Sequence, residues 1–377
     1  MSMKIGIVCY PTYGGSGVVA TELGKELSNR GNKVHFISYA VPARLNFHNE
    51  NLFYHEVGVK NYPLFEFPPY ELSLTSKLVE IVQYEKLDVL HVHYAIPHAS
   101  SALLAKKILA SYGLNIPIIT TLHGTDITLI GNDPSVKPVI NYSINESDGV
   151  TAVSESLKKD TLDNFDINVD INVIPNFINM DRFKKSNNNK FKNKICKNDE
   201  KLILHTSNFR KVKRIQDVIN VFCKINKNIP SKLVMIGDGP ERPNIESLAR
   251  ATCSLKDVTF LGNIDNVEDV LSNGDLFLLP SEKESFGLSA LEAMSSSIPV
   301  VSSNIGGLPE LIVSGKSGFC CNVGDINKMS EKSLFVLDEM NLKKFKDNAL
   351  IRAKKYSIEN IVPQYVKFYN KIINEKT

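Results

Sequence analysis

The segment Leu276–Met294, LFLLPSEKESFGLSALEAM, decides how the chain folds. Its first four residues, Leu276–Leu279, are uniformly apolar, as in a strand covered on both faces of a parallel sheet. The strand ends at Pro280, and a helix begins between Glu284 and Glu292, carboxylates eight positions apart. The amides of Ser285, Phe286, Gly287 and Leu288 then sit at a helix start. Such amides have no intrahelical acceptor, and the helix dipole adds positive potential, so together they suit a diphosphate. Glu292 can accept both hydroxyls of a ribose, and Glu284, ahead of the helix, can accept hydroxyls of a hexose. The plainer reading is a helix with an N-terminal acid cap and one incidental glutamate.

Upstream and downstream, the same strand-to-helix alternation recurs. In the first half it predicts strands at Lys4–Cys9, Lys33–Ser38, Val89–His93, Ile116–Thr121, Gly149–Val153 and Asn172–Asn176. Helices are expected near Val18–Asn29, Ser73–Gln83, Ala99–Ser111 and Val136–Glu146. The second half repeats the pattern, with strands at Leu202–Thr206, Lys232–Gly237, Val258–Leu261, Leu276–Leu279 and Pro299–Ser302. Alternation of this kind specifies an α/β fold with parallel, Rossmann-like sheets. A length of 377 residues exceeds what one core organises, so two such domains are expected. The polar run Lys184–Asn198 reads as a solvated loop at a junction near 174–200. Expected boundaries are 1–175, 176–357 and 358–377. The last piece is an amphipathic helix with Ile361, Val366, Phe368, Tyr369 and Ile372 on its apolar side, packing across the domain boundary.

Composition bounds the function. Hydrophobic residues make up 43% and charged residues 23%, and the formal charge of +3 is too nearly balanced for a nucleic-acid footprint. Six scattered cysteines show no C-x-x-C spacing, so neither a zinc site nor a disulfide framework is expected, and reduced thiols in a cytoplasmic protein fit best. The opening apolar run is too short for a signal-peptide core, and no later stretch is long enough to span a membrane.

Ligands of open α/β sheets collect beyond the carboxyl ends of strands. The loop Tyr13–Gly17 after the first strand places Gly15 and Ser16 at a helix start, although no G-x-G-x-x-G spacing occurs and an ordinary tight turn reads equally well. His91-Val92-His93-Tyr94 and Leu122-His123-Gly124-Thr125-Asp126 end two further strands. His123 can touch a sugar hydroxyl or serve only as a hydrogen-bonded loop histidine. His91 and His93 share a strand face, but no carboxylate stands near them in a ligand pattern and no Asp-x-Asp pair exists, so no metal is expected. After the first strand of the second half, Arg210 and Lys213 can neutralise a diphosphate leaving group, or form a solvated basic turn. Gly237-Asp238-Gly239-Pro240 supplies a supporting turn.

With these residues assembled, the chain resembles the GT-B glycosyltransferases of family four. Glu284 and Glu292 match that family's pair of glutamates, with Phe286-Gly287 and Glu292-Ala293-Met294 at the usual places, and Gly237–Pro240 and Gly306-Gly307-Leu308-Pro309-Glu310 match two further motifs. The first-half segments Cys9–Gly17, His91–Ala99 and Leu122–Thr128 resemble those family members that transfer N-acetylglucosamine from UDP-GlcNAc to L-malate at the start of bacillithiol biosynthesis. The resemblance implies two Rossmann-like domains facing across a cleft, retention of α configuration, and no cofactor or metal. It implies His123, Glu284, Arg210 and Lys213 in catalysis; Gly15, Asn208, Gly237, Ser285, Phe286, Gly287, Leu288 and Glu292 at the donor; and Ser16, Tyr94, Thr125 and Lys137 at the acceptor. Asn208 stands where the family usually has arginine, so Arg210 is expected to supply that charge. Expected partners are the two small molecules, with no nucleic acid and no membrane integration; a homodimer is left open. The rival readings are a lipid-directed transferase of the same fold, for which the aromatic segment Tyr62–Tyr70 lacks a basic cluster, and a nucleotide-sugar binder or epimerase-like relative without transfer.

Overall fold

A computed structural model describes residues 2–46, 49–59, 66–185, 190–197, 199–253 and 255–376. The chain divides into two compact units, Met1–Asn176 together with Ile358–Thr377, and Phe177–Ser357.

In the first unit, seven strands form one parallel sheet: β1 Lys4–Val8, β2 Lys33–Ser38, β3 Leu52–Glu56, β4 Val89–His93, β5 Ile118–Leu122, β6 Gly149–Ala152 and β7 Ile171–Val173. Their order is β3-β2-β1-β4-β5-β6-β7. The direction of winding therefore reverses between β1 and β4, the position at which open sheets present a ligand crevice. β4 and β5 are buried at every residue, as expected of strands covered on both faces, and this puts the polar side chains His91, His93, Thr120 and Thr121 out of water as well. The helices Tyr70–Glu85 and Ser100–Ser111 cover the sheet through a core that includes Leu74, Leu78, Ala102 and Leu109 against Leu90 and Ile118.

The last helix, Ile358–Lys376, belongs to this unit although it follows the second in sequence. Tyr365 and Tyr369 are fully buried, and the Tyr369 hydroxyl bonds Nδ1 of His91 on β4 at 2.7 Å. The other ring nitrogen of His91 meets Thr121 Oγ1 at 2.7 Å, so this buried imidazole is satisfied at both ends.

The second unit holds a six-stranded parallel sheet: β8 Lys201–Thr206, β9 Ser231–Ile236, β10 Val258–Gly262, β11 Leu276–Leu279, β12 Val300–Ser303 and β13 Gly318–Cys321. Its order, β10-β9-β8-β11-β12-β13, puts the same reversal between β8 and β11. Phe209, Phe222, Met235 and Leu278 lie in its main core.

Several expectations need correction. β3 and β13 were not expected, nor was the helix Glu155–Asn164, whose Ser154 hydroxyl caps the Leu157 amide at 3.1 Å. The fifth strand starts at Ile118, two residues after the expected Ile116. Within the run expected as a solvated loop, residues 186–189 and 198 lie outside the described residues, but Lys190–Ile195 is a helix. The physical reason is a buried carboxylate: Asp275 accepts from Lys192 at 2.5 Å, from Lys346 at 2.7 Å and from the Leu202 amide at 2.9 Å. Cys223 and Cys253, expected as reduced thiols, form a disulfide between the helix Ile215–Asn226 and the end of the helix Arg242–Thr252. Residues 62–65 of the aromatic segment lie outside the described residues.

Candidate active site

In the second unit, the loops leaving β8 and β11 meet. The Glu282 amide donates to the Val212 carbonyl at 2.9 Å, and Lys213 Nζ lies 2.6 Å from Glu284 Oε2. Arg214 is held by Asp217 at 2.6 Å and stands 3.6 Å from Glu282. Asn208 and Arg210 are exposed on the same β8 loop. The structure thus joins Lys213 to Glu284, two residues expected in catalysis, as one part-buried ion pair.

Two glycine loops brace this arrangement by close approach. A Cβ on Gly306 would lie 1.8 Å from the Glu284 carbonyl oxygen, and the Gly307 amide donates to that oxygen at 3.1 Å. A Cβ on Gly237 would lie 1.8 Å from the Ser207 carbonyl oxygen, at a backbone φ of +116°. Only glycine lets either loop touch its neighbour's backbone.

Gly287 adopts the left-handed conformation that opens the helix Leu288–Ser295. Phe286 is buried, with its ring edge-on to Tyr356 at 5.7 Å between centroids. Ser285 and Leu288 are half-buried, and Glu292 is buried in the helix. The residues expected at the donor therefore converge on the switch point of this sheet, with Gly15 the exception, since it belongs to the first unit.

In the first unit, the loops leaving β1, β4 and β5 form a second cluster. Gly15, at φ +53°, precedes the helix Ser16–Asn29, and Ser16 Oγ lies 2.6 Å from the Tyr94 hydroxyl. Tyr94 follows β4 at φ +91°, an uncommon conformation for an aromatic residue and one that accumulates at functional sites. Its ring lies 5.5 Å from Tyr10 and 5.2 Å from His123, between centroids. His123 Nε2 meets Nδ1 of the buried His93 at 2.8 Å. Thr125 is half-buried at the start of the helical turn Thr125–Leu129.

Lys137, expected at the acceptor, joins none of these contacts among the described residues. It starts the helix Lys137–Asn145, with its ammonium 5.7 Å from the centroid of the Phe165 ring. An ammonium attracted to an aromatic face in this way is engaged away from the cluster.

Asp126 had no role expected of it from its place in the sequence. The structure gives it one: its carboxylate accepts the Ala95 and Gly124 amides, each at 3.0 Å, and so ties the β4 loop to the β5 loop. Burial pushes this carboxyl up despite those amides. Burial also pushes His123 down to about 3 and His98 to about 4, and holds His93 well below the usual histidine range, so the rings are neutral at physiological pH. An Asp two residues after the glycine that follows a strand end was the signal available in the sequence.

A separate trio, His35, His55 and Glu85, offers possible metal ligand atoms all within 4.8 Å of one another. The imidazoles, however, lie nearly parallel, at 15°, with centroids 5.2 Å apart and His35 Nδ1 only 2.9 Å from His55 Nε2. The two nitrogens face each other end to end, as in an N–H···N hydrogen bond, whereas a shared metal needs both lone pairs aimed at a third point about 2 Å from each. His35 is on β2 and His55 on the edge strand β3, so sequence distance hid the pair.

Comparison with known proteins places this geometry. The profile described as Glycosyltransferase Family 4 matches residues 13–182, and that described as Glycosyl transferases group 1 matches residues 186–352. The chain is 45% identical to N-acetyl-alpha-D-glucosaminyl L-malate synthase of Bacillus anthracis, over 100% of this chain and 98% of that protein. Among solved structures, a glycosyltransferase from Rickettsia africae superposes with a TM-score of 0.82 at 21% identity, covering 99% of each chain. Anabaena HepE in complex with UDP and glucose gives 0.82 at 18% identity, covering 98% of this chain and 99% of that one. The two parallel sheets with matching switch points are those of the GT-B fold, and the chain belongs to the group 1, family-four glycosyltransferases.

Proposed function

We propose that the protein transfers N-acetylglucosamine from UDP-GlcNAc to the hydroxyl of L-malate with retention of the α configuration. The Lys213–Glu284 pair beside the helix that carries buried Glu292 is the observation that carries the donor side of this reading. It sets a cation for the diphosphate next to a carboxylate for sugar hydroxyls, with Glu292 left for the ribose. The relative named N-acetyl-alpha-D-glucosaminyl L-malate synthase supports the malate acceptor. Ser16, Tyr94 and Thr125 offer hydroxyls to such a small dianion.

In the transfer, the bond from sugar C1 to the β-phosphate oxygen breaks and a bond from C1 to the malate hydroxyl oxygen forms on the same face. The hydroxyl proton passes to the leaving phosphate. Lys213 and Arg210 stabilise the charge on the departing UDP, and His123 orients the reacting groups. No metal is needed in this scheme. No helix among the described residues is long and apolar enough to cross a membrane.

The test measures UDP release from UDP-GlcNAc with L-malate and a panel of other hydroxy acids and polyols. Release that depends on malate supports the reading. Release with another acceptor and none with malate removes the malate assignment.

A further inference from the structure

Four histidines surround the β4 and β5 loop ends, and their hydrogen bonds specify where the protons sit. His91 is satisfied by Tyr369 and Thr121, each at 2.7 Å, and stands outside the His93–His123 pair. His98 Nδ1 bonds the main-chain carbonyl oxygen of His93. A carbonyl only accepts, so the proton of neutral His98 is on Nδ1 and its buried Nε2 carries a bare lone pair.

His93 is the deciding ring. It is fully buried, its Nδ1 lies 2.8 Å from His123 Nε2, and its own Nε2 is buried with no hydrogen-bond partner among the described residues. Two proton placements are available to it. With the proton on Nε2, His93 buries an N–H that has no acceptor, and His123 must be the donor between them. With the proton on Nδ1, His93 donates to His123 and buries only a lone pair. Orphaned buried N–H groups are rarer in proteins than under-satisfied acceptors, so the second placement wins. His123 Nε2 then accepts, and the proton of this neutral ring is on Nδ1. Because His123 is only half-buried and its Nε2 faces buried His93, Nδ1 is the ring nitrogen available to a ligand.

We propose that His93 is a positioning residue that holds His123 in its Nδ1–H tautomer, so that His123 offers the bound substrate an N–H donor and not a basic lone pair. The proposal rests on the transferase reading for the identity of the substrate but not for the tautomer itself. It assigns His123 to gripping an oxygen of the sugar or acceptor, and it excludes His123 as the base that removes the malate hydroxyl proton. That proton goes to the leaving phosphate. Loss of the proton from an Nδ1–H imidazole to a hydroxyl is far uphill, so His123 cannot serve as acid either.

The experiment uses the full chain with nitrogen-15 labelled histidine and records two-bond proton–nitrogen correlation spectra, with the His123 ring assigned by its disappearance in His123→Gln. The expected spectrum shows His123 protonated at Nδ1 and bare at Nε2. In His93→Asn, the carboxamide N–H replaces the Nδ1 donor, and the tautomer is retained. In His93→Asp, an acceptor-only group replaces it, and His123 shifts its proton to Nε2. In the transfer assay, His93→Asp and His93→Leu should lower kcat roughly tenfold, the scale of one hydrogen bond, with KM changed less than about twofold, and His93→Asn should restore most of the loss. A wild-type His123 protonated at Nε2 overturns the proposal, as does a His93→Asp spectrum identical to wild type. If malate fails to support UDP release while the wild-type spectrum shows the Nδ1–H tautomer, the acceptor reading falls and this one stands.

Discussion

Replacing Glu284 with glutamine and Lys213 with methionine should change UDP affinity in opposite directions. Lys213 Nζ is held by Glu284 Oε2 at 2.6 Å, with side-chain exposures of 20% and 15%, so each charge is partly withdrawn from water. If Lys213 serves the diphosphate, Lys213→Met removes one charge-assisted hydrogen bond of about 1.5–3 kcal/mol and weakens UDP roughly 10- to 150-fold. Glu284→Gln removes the competitor for that ammonium. The gain is capped by what such a pair is worth once desolvation is subtracted, about 1 kcal/mol, so UDP should bind up to roughly fivefold more tightly. Turnover of UDP-GlcNAc should nevertheless fall, because the glutamine loses the charged acceptor for sugar hydroxyls. Titration calorimetry with UDP, run at two ionic strengths on both variants and their double mutant, measures this. Raising the salt should shrink the Lys213→Met effect, since the interaction is between charges. If Glu284→Gln weakens UDP as much as Lys213→Met does, the two residues act on the nucleotide together and the competition argument is refuted.

Asp275→Asn should destabilise the second unit by about 3 kcal/mol in urea unfolding, because it leaves Lys192 and Lys346 without their carboxylate. Burial opposes ionisation of Asp275, yet Lys346, Lys192 and the Leu202 amide outweigh it and hold the carboxyl below its ordinary value. Its contribution is therefore complete above the unfolded value of about 4 and is lost as pH falls through the folded one, so the gap between wild type and variant should close in acid. Gly306→Ala should lower the melting temperature and UDP affinity together, since its Cβ would fall 1.8 Å from the Glu284 carbonyl oxygen; unchanged nucleotide binding would disconnect that loop from the site. Asp126→Asn should cost roughly 1–3 kcal/mol of stability, as the amide presents an N–H to one of two backbone donors. Its turnover should fall more than its UDP affinity, and steady-state kinetics beside calorimetry would expose the reverse.

The parts of the fold legible in the sequence were those with a local signature. β11 is a continuous apolar run, β4 and β5 carry apolar residues with histidines or threonines among them, and these strands and the loops after them supply the histidines and glutamates that the structure gathers at two switch points. Elements without such a signature escaped. β3, LFYHE, is an edge strand with one buried residue, and β13 depends on Gly318 lying against the Val300 carbonyl, where a Cβ would come within 1.9 Å. Lys190–Ile195 is too polar to read as anything but loop until Asp275 is seen beside it. The Cys223–Cys253 pairing, the end-to-end His35–His55 contact and the amide-binding role of Asp126 arise only when distant segments are brought together. The identities of the site residues could be read from the chain; their hydrogen-bond partners could not.

The return of the last helix to the first unit has a consequence for biosynthesis. On the ribosome, residues 1–176 emerge first but lack the helix that buries Tyr365 and Tyr369 and satisfies His91. Residues 177–357 form a contiguous stretch and can complete their sheet while the earlier one waits. The order of maturation is thus inverted relative to the order of synthesis, and the loops of the first unit reach their final setting only after those of the second. Until Ile358–Lys376 has been made, the first sheet exposes an apolar surface in need of protection.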